Sequence, residues 1–319
     1  MSKQKSIFSK TPVLIVVALL CTALWGGAFP GIKFGYGVLH VESADTFLQI
    51  LFAGYRFTLA GILAWVIGCI STRRVLVPHR GSWHKVLILS LAQTAVQYFF
   101  FYIGHAPTPG VRSSIIEGSA AFISLLLAAL CFHQEKLTFR KVAGVIIGYG
   151  GVVLIATGGG AGLGTFSLFG DGMIFLATIC SSLSTVFLRR FTQDEEPFTM
   201  SSWQFFLGGL MLTVVGQIGV HAAGPRTELF CIARENGELG KAVLILLLLA
   251  GISAIAYSLW GVLLKHNPVS RVTVFNCMIP VFGTLLSMWI LQESASQPLW
   301  VILTSLLLVV SGTLLVQKS

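Results

Sequence analysis

The chain has 319 residues, of which 55% are hydrophobic and only 10% charged, with a mean hydropathy of +0.85. It lacks the polar groups to cover a globular surface, so lipid is its solvent and the soluble enzyme classes are excluded. Its net charge of +9 lies in short loops between apolar runs, where it signals topology and no nucleic-acid partner.

Apolar runs of about 20 residues recur along the chain, the length with which an α-helix crosses hydrocarbon, and no alternating β-barrel pattern competes with them. The expected fold is an all-α polytopic membrane protein of about ten transmembrane helices. The first span, 12–33, follows Lys3, Lys5 and Lys10 and has an apolar core longer than that of a signal peptide, so it reads as a retained membrane helix. The second, 46–70, carries Arg56 near mid-membrane, where a permanently charged guanidinium must snorkel, pair or meet an anion; a structural or gating role is the favoured reading. On the third, 86–105, Gln93 and Gln97 share one face and Tyr98, Tyr102 and His105 an adjacent one. Amides and phenols there suit a neutral polar solute and interhelical hydrogen bonding equally well, while His105 reads as a solvated loop residue.

The fourth span, 111–132, holds Glu117, the only carboxylate deep in an apolar segment, on a face with Ser113, Ser114, Ala121 and Ser124. An ionised group there is costly unless paired or wetted. Two readings follow: a cavity-lining, proton-coupling group, or a structural ion pair with Arg56 or Arg112. In the fifth span, 141–157, Gly144 and Gly148 form a GxxxG pair beside Gly150 and Gly151, expected to serve close helix packing, with a dimer face as the alternative. Gly158 to Gly164 then divides the chain; no Lys-Ser/Thr follows the glycines, so the segment reads as an external linker and not a phosphate loop.

The second half gives spans at 170–190, 198–220, 242–264, 269–291 and 298–316. Ser181 and Ser184 lie on the sixth, Tyr257 and Trp260 one turn apart on the eighth, and Asn276 four residues before Pro280 on the ninth. With Trp25 and Phe29 these aromatics outline a weakly charged cavity suited to a neutral, zwitterionic or amphipathic solute. The expected substrate-binding set is Trp25, Phe29, Gln93, Gln97, Tyr98, Tyr102, Glu117, Ser181, Tyr257, Trp260 and Asn276, with Glu117 and Arg56 as coupling or ion-pair residues. Pro30 and Pro280, with Gly26, Gly27 and Gly283 nearby, interrupt helices and read as gating hinges or as static kinks. The run Asp194 to Pro197 reads as a solvated turn, and 221–241 as the longest loop. No catalytic residue, cofactor or metal is expected: the six cysteines are scattered, and HExxH, paired intramembrane aspartates and a Ser/His arrangement are all missing.

Cationic residues sort by side. Lys3, Lys5, Lys10, Arg73, Arg74, Arg80, Lys85, Lys136, Arg140, Lys141, Arg189, Arg190, Lys265, Arg271 and Lys318 fall on one side, and Lys33, Arg112, Arg226, Arg234 and Lys241 on the other. Ten spans with both termini cytoplasmic follow. The halves also resemble each other, since Leu125 to Glu135 ends in Gln-Glu as does Gly283 to Glu293. Five helices per half is odd, so the second half enters the membrane reversed, giving inverted repeats at 12–157 and 170–316.

Trp25-Gly-Gly-Ala-Phe-Pro30 with Lys33, Tyr55-Arg56, and the stretch from Gly110 through Gln134-Glu135 to Gly144 and Gly151 together resemble the drug/metabolite transporter superfamily, in its EamA-type ten-helix form. Pro268, Pro280 and Gln292-Glu293 take the equivalent places in the second half. The resemblance implies a central cavity walled by helices one, three, four, six, eight and nine, with five and ten peripheral. It implies secondary active export or exchange of a small metabolite, amino acid or drug by alternating access, with an uncoupled facilitator or lipid flippase as the alternative on the same fold. The usual Gly before the Glu is Gln134 and Gln292 here, positions expected to cap helices at the surface. The expected setting is the cell inner membrane, with a small-molecule substrate and the lipid bilayer as partners, and a monomer or weak homodimer as the assembly.

Overall fold

The computed structural model describes residues 6–42, 44–105, 108, 110–158, 167–222, 229–290 and 298–318. Gly159 to Gly164, Gln292 and Glu293 therefore lie outside the described residues. Ten apolar helices are described: α1 Thr11–Leu39, α2 Thr46–Thr72, α3 Arg80–His105, α4 from Gly110 to Cys131, α5 Phe139–Thr157, α6 Leu168–Phe191, α7 Pro197–Ala222, α8 Leu239–His266, α9 Val269–Ile290 and α10 Leu299–Gln317. Nine of them are long and apolar enough to cross a membrane, and α4 contributes the shorter apolar stretch Ile115–Cys131. The protein is a multi-pass membrane protein of two inverted repeats.

Local chemistry sets the helix ends. Ser167 accepts a hydrogen bond from the Gly170 N–H, and α6 carries Asp171 in its first turn and Arg189 and Arg190 in its last, each sign opposing the helix dipole. Thr138 caps α5 through the Lys141 N–H. The start of α1 and the end of α10 lie on one face, because Arg271 of α9 donates to both Thr11 Oγ1, at 3.0 Å, and Gln317 Oε1, at 2.8 Å. This is the terminal face of the bundle.

Glycine allows the closest helix contacts. On α2, Gly54 and Gly61 stand seven residues apart, as do Gly209 and Gly216 on α7. A Cβ on Gly54 would lie 2.5 Å from Thr213 N, on Gly61 2.7 Å from Ser202 O, and on Gly216 2.7 Å from Leu51 N. The second helices of the two repeats thus touch backbone to backbone. The α5 and α10 helices do the same, with Gly144 against the Gly312 carbonyl. The GxxxG stripe is therefore used inside the chain, which overturns its reading as a dimer face.

Four expectations change. Pro30 does not interrupt α1, which runs unbroken through it. A Cβ on Gly26 would stand 2.7 Å from Phe282 Cβ and 2.8 Å from Gly283 N, so Gly26 serves the α1–α9 crossing. The breaks lie in α4 and, immediately ahead of Pro280, in α9. The first separates Gly110–Gly118 from Ala120–Leu126 at Ser119, and the second is the 3-10 segment Val274–Met278. Pairing Glu135 with Glu293 pairs Ser119 with Cys277, so both breaks fall at the same place in the repeat.

Gln134 is not a surface cap: it is half-buried, and its Nε2 donates to the Val186 carbonyl. The Glu135 side chain is 3% exposed and is held by Lys141 Nζ at 2.6 Å and by the Ser270 N–H at 2.9 Å. The turn Asp194 to Pro197 is not simply solvated either: Glu195 is 3% exposed and accepts from the His79 N–H at 3.2 Å, with its Oε1 2.7 Å from His79 Nδ1. In both places a short loop returns to the bundle, and the carboxylate satisfies backbone amides that would otherwise be orphaned.

Candidate functional site

A central cavity of about 530 Å³ runs between the repeats. It is walled by Trp25, Phe29 and Ile32 of α1, Gln93, Gln97, Tyr98, Phe101 and Tyr102 of α3, and Glu117, Gly118 and Ser124 of α4. From the second repeat come Thr178, Ser181, Ser184 and Thr185 of α6, Tyr257 and Trp260 of α8, and Asn276, Pro280, Gly283, Thr284 and Ser287 of α9. Arg56 reaches in from α2, and α5, α7 and α10 contribute nothing among the described residues.

The wall extends to Tyr102 and Met288, each within a turn of the helix end opposite the terminal face. Toward the terminal face it stops at Thr185, Trp260 and Asn276, beneath which Val186, Leu263 and Val272 are fully buried. The cavity is thus closed toward the terminal face and reaches the other one.

Its aromatic side is tightly built. The Trp25 ring centroid lies 4.8 Å from Tyr257 and 5.0 Å from Trp260, both in inclined geometries that suit ring quadrupoles. The Tyr98 and Tyr257 hydroxyls meet at 3.1 Å, joining α3 of one repeat to α8 of the other. Arg56, 4% exposed, donates from Nε and Nη2 to Ser253 Oγ and lies 4.9 Å from the Phe57 ring centre. It forms no ion pair with Glu117. Among the described residues the Glu117 carboxylate has no hydrogen-bond or ion-pair partner, and it faces the cavity. The side chain of Arg112 lies outside the description.

Several polar atoms in the wall are buried without a partner: Trp25 Nε1, Gln93 Oε1, Gln97 Oε1 and Asn276 Oδ1. Desolvated acceptors and donors of this kind are costly unless a solute or water completes them. Together with one carboxylate and one guanidinium, they can hold a small molecule bearing several polar groups while the aromatic wall takes its apolar part.

All eleven residues expected to bind substrate, together with Arg56, lie on this one cavity. Gly26, Gly27 and Pro30 do not line it, whereas Pro280 does. Ala121 points into the core and is fully buried, and Ser113 hydrogen-bonds His105 at 3.1 Å. His105, the exposed last residue of α3, also stacks on Phe101, so it is solvated as expected but belongs to the helix and not to a loop. The sequence reading missed Thr284 and Ser287. Their spacing from Pro280, four residues and then three, marks one polar face of α9 and could have shown them.

Comparison with known proteins adds a lineage. The profile of the EamA-like transporter family matches residues 13–157 and again 168–317. Two proteins of Archaeoglobus fulgidus, each described as an uncharacterized transporter, are 26% and 28% identical to this chain, covering 88% and 89% of it and 90% of their own length. A probable terminal-alkyne amino-acid exporter of Streptantibioticus cattleyicolor is 27% identical over 46% of each chain. A solved crystal structure superposes with a TM-score of 0.74 at 17% identity over 96% of both chains, which shows the fold alone.

Proposed function

The chain belongs to the EamA-like transporter family, and from that premise we propose that it is a secondary active carrier exporting or exchanging a small neutral, zwitterionic or amphipathic metabolite by alternating access. Proton coupling runs through Glu117. The observation that carries this reading is the Glu117 carboxylate, which faces the cavity without an ion-pair partner among the described residues. A carboxylate in that position takes up or releases a proton at low cost when solute and water exchange around it. The partnerless amides and the aromatic wall favour an amino-acid-like or drug-like solute, and the likeness to the terminal-alkyne amino-acid exporter supports the same class. The excess of Lys and Arg on the terminal face supports a reading in which both termini are cytoplasmic, the chain sits in the cell inner membrane and the cavity faces outward.

Solute flux in proteoliposomes tests the proposal, using radiolabelled amino acids, purines and cationic drugs with and without an imposed pH gradient. Gradient-driven accumulation of one solute class, lost in Glu117→Gln, is the expected result. Flux that only equilibrates and survives the substitution would make the protein a facilitator or flippase and return Glu117 to a structural role.

A further inference from the structure

We propose that Glu135, together with Ser270, is the bolt of a gate between the cavity and the terminal face. The proposal rests on the carrier reading in one respect, that the site must also open on that side.

Glu135 closes α4 at the terminal face, in the first repeat, and Ser270 is the second residue of α9, in the second. The carboxylate accepts the Ser270 N–H at 2.9 Å and the Ser270 hydroxyl, so it satisfies one of the amides that the start of a helix leaves without a partner. Lys141 Nζ neutralises it at 2.6 Å and also donates to the Lys136 carbonyl. The neighbouring Gln134 extends the seal. Its Nε2 donates to the Val186 carbonyl of α6, and its Oε1 accepts from Arg189, whose Nε donates to the Asn267 carbonyl between α8 and α9. One short stretch of the first repeat thus holds α6 and α9 of the second and, through Arg189, the turn between α8 and α9.

The seal has two tiers. Beneath the cavity, Val186, Leu263 and Val272 form an apolar layer of fully buried side chains, and the Glu135 lattice lies between that layer and the terminal face. A solute leaving on this side must pass between the end of α4 and the start of α9, and the Glu135–Ser270 contact spans that gap. Both helices have irregular backbone on the gate side of the cavity or at its floor, the π-helical turn Leu127–Cys131 in α4 and the 3-10 segment Val274–Met278 in α9. Their gate-side ends can therefore swing without breaking a long regular helix. Every hydrogen bond in the lattice can be exchanged for one to water, so the net cost of opening is small and the bolt is reversible.

The test uses the full chain in vesicles, with Thr185→Cys on the cavity floor as a reporter for a membrane-impermeant maleimide, and with labelling of the chain lacking the reporter subtracted. Glu135→Gln and Ser270→Ala should each speed labelling from the terminal face by about tenfold, and Lys85→Ala, which removes an ion pair with Asp194 and a contact with the Phe191 ring but no bond of the Glu135 lattice, should leave it unchanged. Folded variants labelled no faster than the parent would overturn the proposal. Should Glu135→Gln not fold, Glu135→Cys with Ser270→Cys replaces it: transport should stop on disulfide formation and return on reduction, and transport that survives the cross-link sinks the gate. Labelling needs no solute, so a labelling change without transport of any solute defeats the carrier reading alone.

Discussion

The Ser253 hydroxyl of α8 accepts two hydrogen bonds from the Arg56 guanidinium of α2, 3.2 Å from Nε and 3.0 Å from Nη2. A permanent charge at mid-membrane is thereby held by a neutral acceptor, and its positive field stays available to the cavity that Arg56 lines. A carboxylate partner would have cancelled that field.

Ser253→Ala should leave the buried guanidinium short of its acceptor and lower stability by about 1–3 kcal/mol, the usual penalty for a buried donor left unmade. The melting temperature in detergent should fall accordingly, while Ser253→Thr, which keeps the hydroxyl, should restore most of it.

Asn276 makes the opposite case. Its Oδ1 is buried without a partner on the cavity wall, so Asn276→Ala removes a group that the empty protein does not use. Stability should change by less than about 0.5 kcal/mol. Solute affinity should weaken about 5- to 30-fold, the worth of one or two hydrogen bonds, read as a rise in the half-saturation concentration for flux.

The α2–α7 contact predicts a sharp contrast between glycines. A Cβ on Gly61 would press into the backbone of α7 at Ser202 and Phe206, neither of which can yield without moving the helix, whereas nothing lies within 4 Å of a Cβ on Gly172. Gly61→Ala should cost about 1–3 kcal/mol or prevent folding, and Gly172→Ala should be neutral or slightly stabilising. Thermal denaturation of the two variants side by side checks this.

Acid should loosen the terminal face. Burial pushes the Glu195 carboxyl up, but hydrogen bonds from the Ser82 and His79 side chains and from the His79 N–H outweigh it and hold the group below the usual carboxylate range. The hydrogen bond from Lys85 lowers Asp194 likewise. A depressed carboxylate stabilises the fold above its unfolded value, about 4.3 for Glu, and that contribution is lost as pH falls through the lower folded value. The melting temperature should therefore drop as pH is lowered below about 4, and Glu195→Gln should flatten the drop.

The spans and the cavity wall were legible because lipid imposes a simple rule: apolar length marks a helix, and a polar side chain inside one needs a reason. Glu117, Gln93 and Asn276 were found that way and share one cavity. Proline marks only one of the breaks: the irregular segment Val274–Met278 ends just ahead of Pro280, whereas α1 absorbs Pro30 within a regular helix and the irregular backbone at Ser119 carries no proline. The lattice at Glu135 was missed because sequence spacing cannot show that a loop folds back under a distant helix. The seven-residue glycine rhythm of α2 was present in the sequence all along, but only the facing helix gives it meaning.

The matched breaks in α4 and α9 carry an evolutionary reading. The register that places Ser119 opposite Cys277 also places Glu117 opposite Phe275 and Gly118 opposite Asn276. Two copies of one ancestral segment have kept the same bend and diverged in what they present beside it: Glu117 of the first and Asn276 of the second face the cavity, whereas Phe275 is buried in the core. The duplicated chamber thus bears an acid from one copy and an amide from the other, and its two sides are chemically unlike.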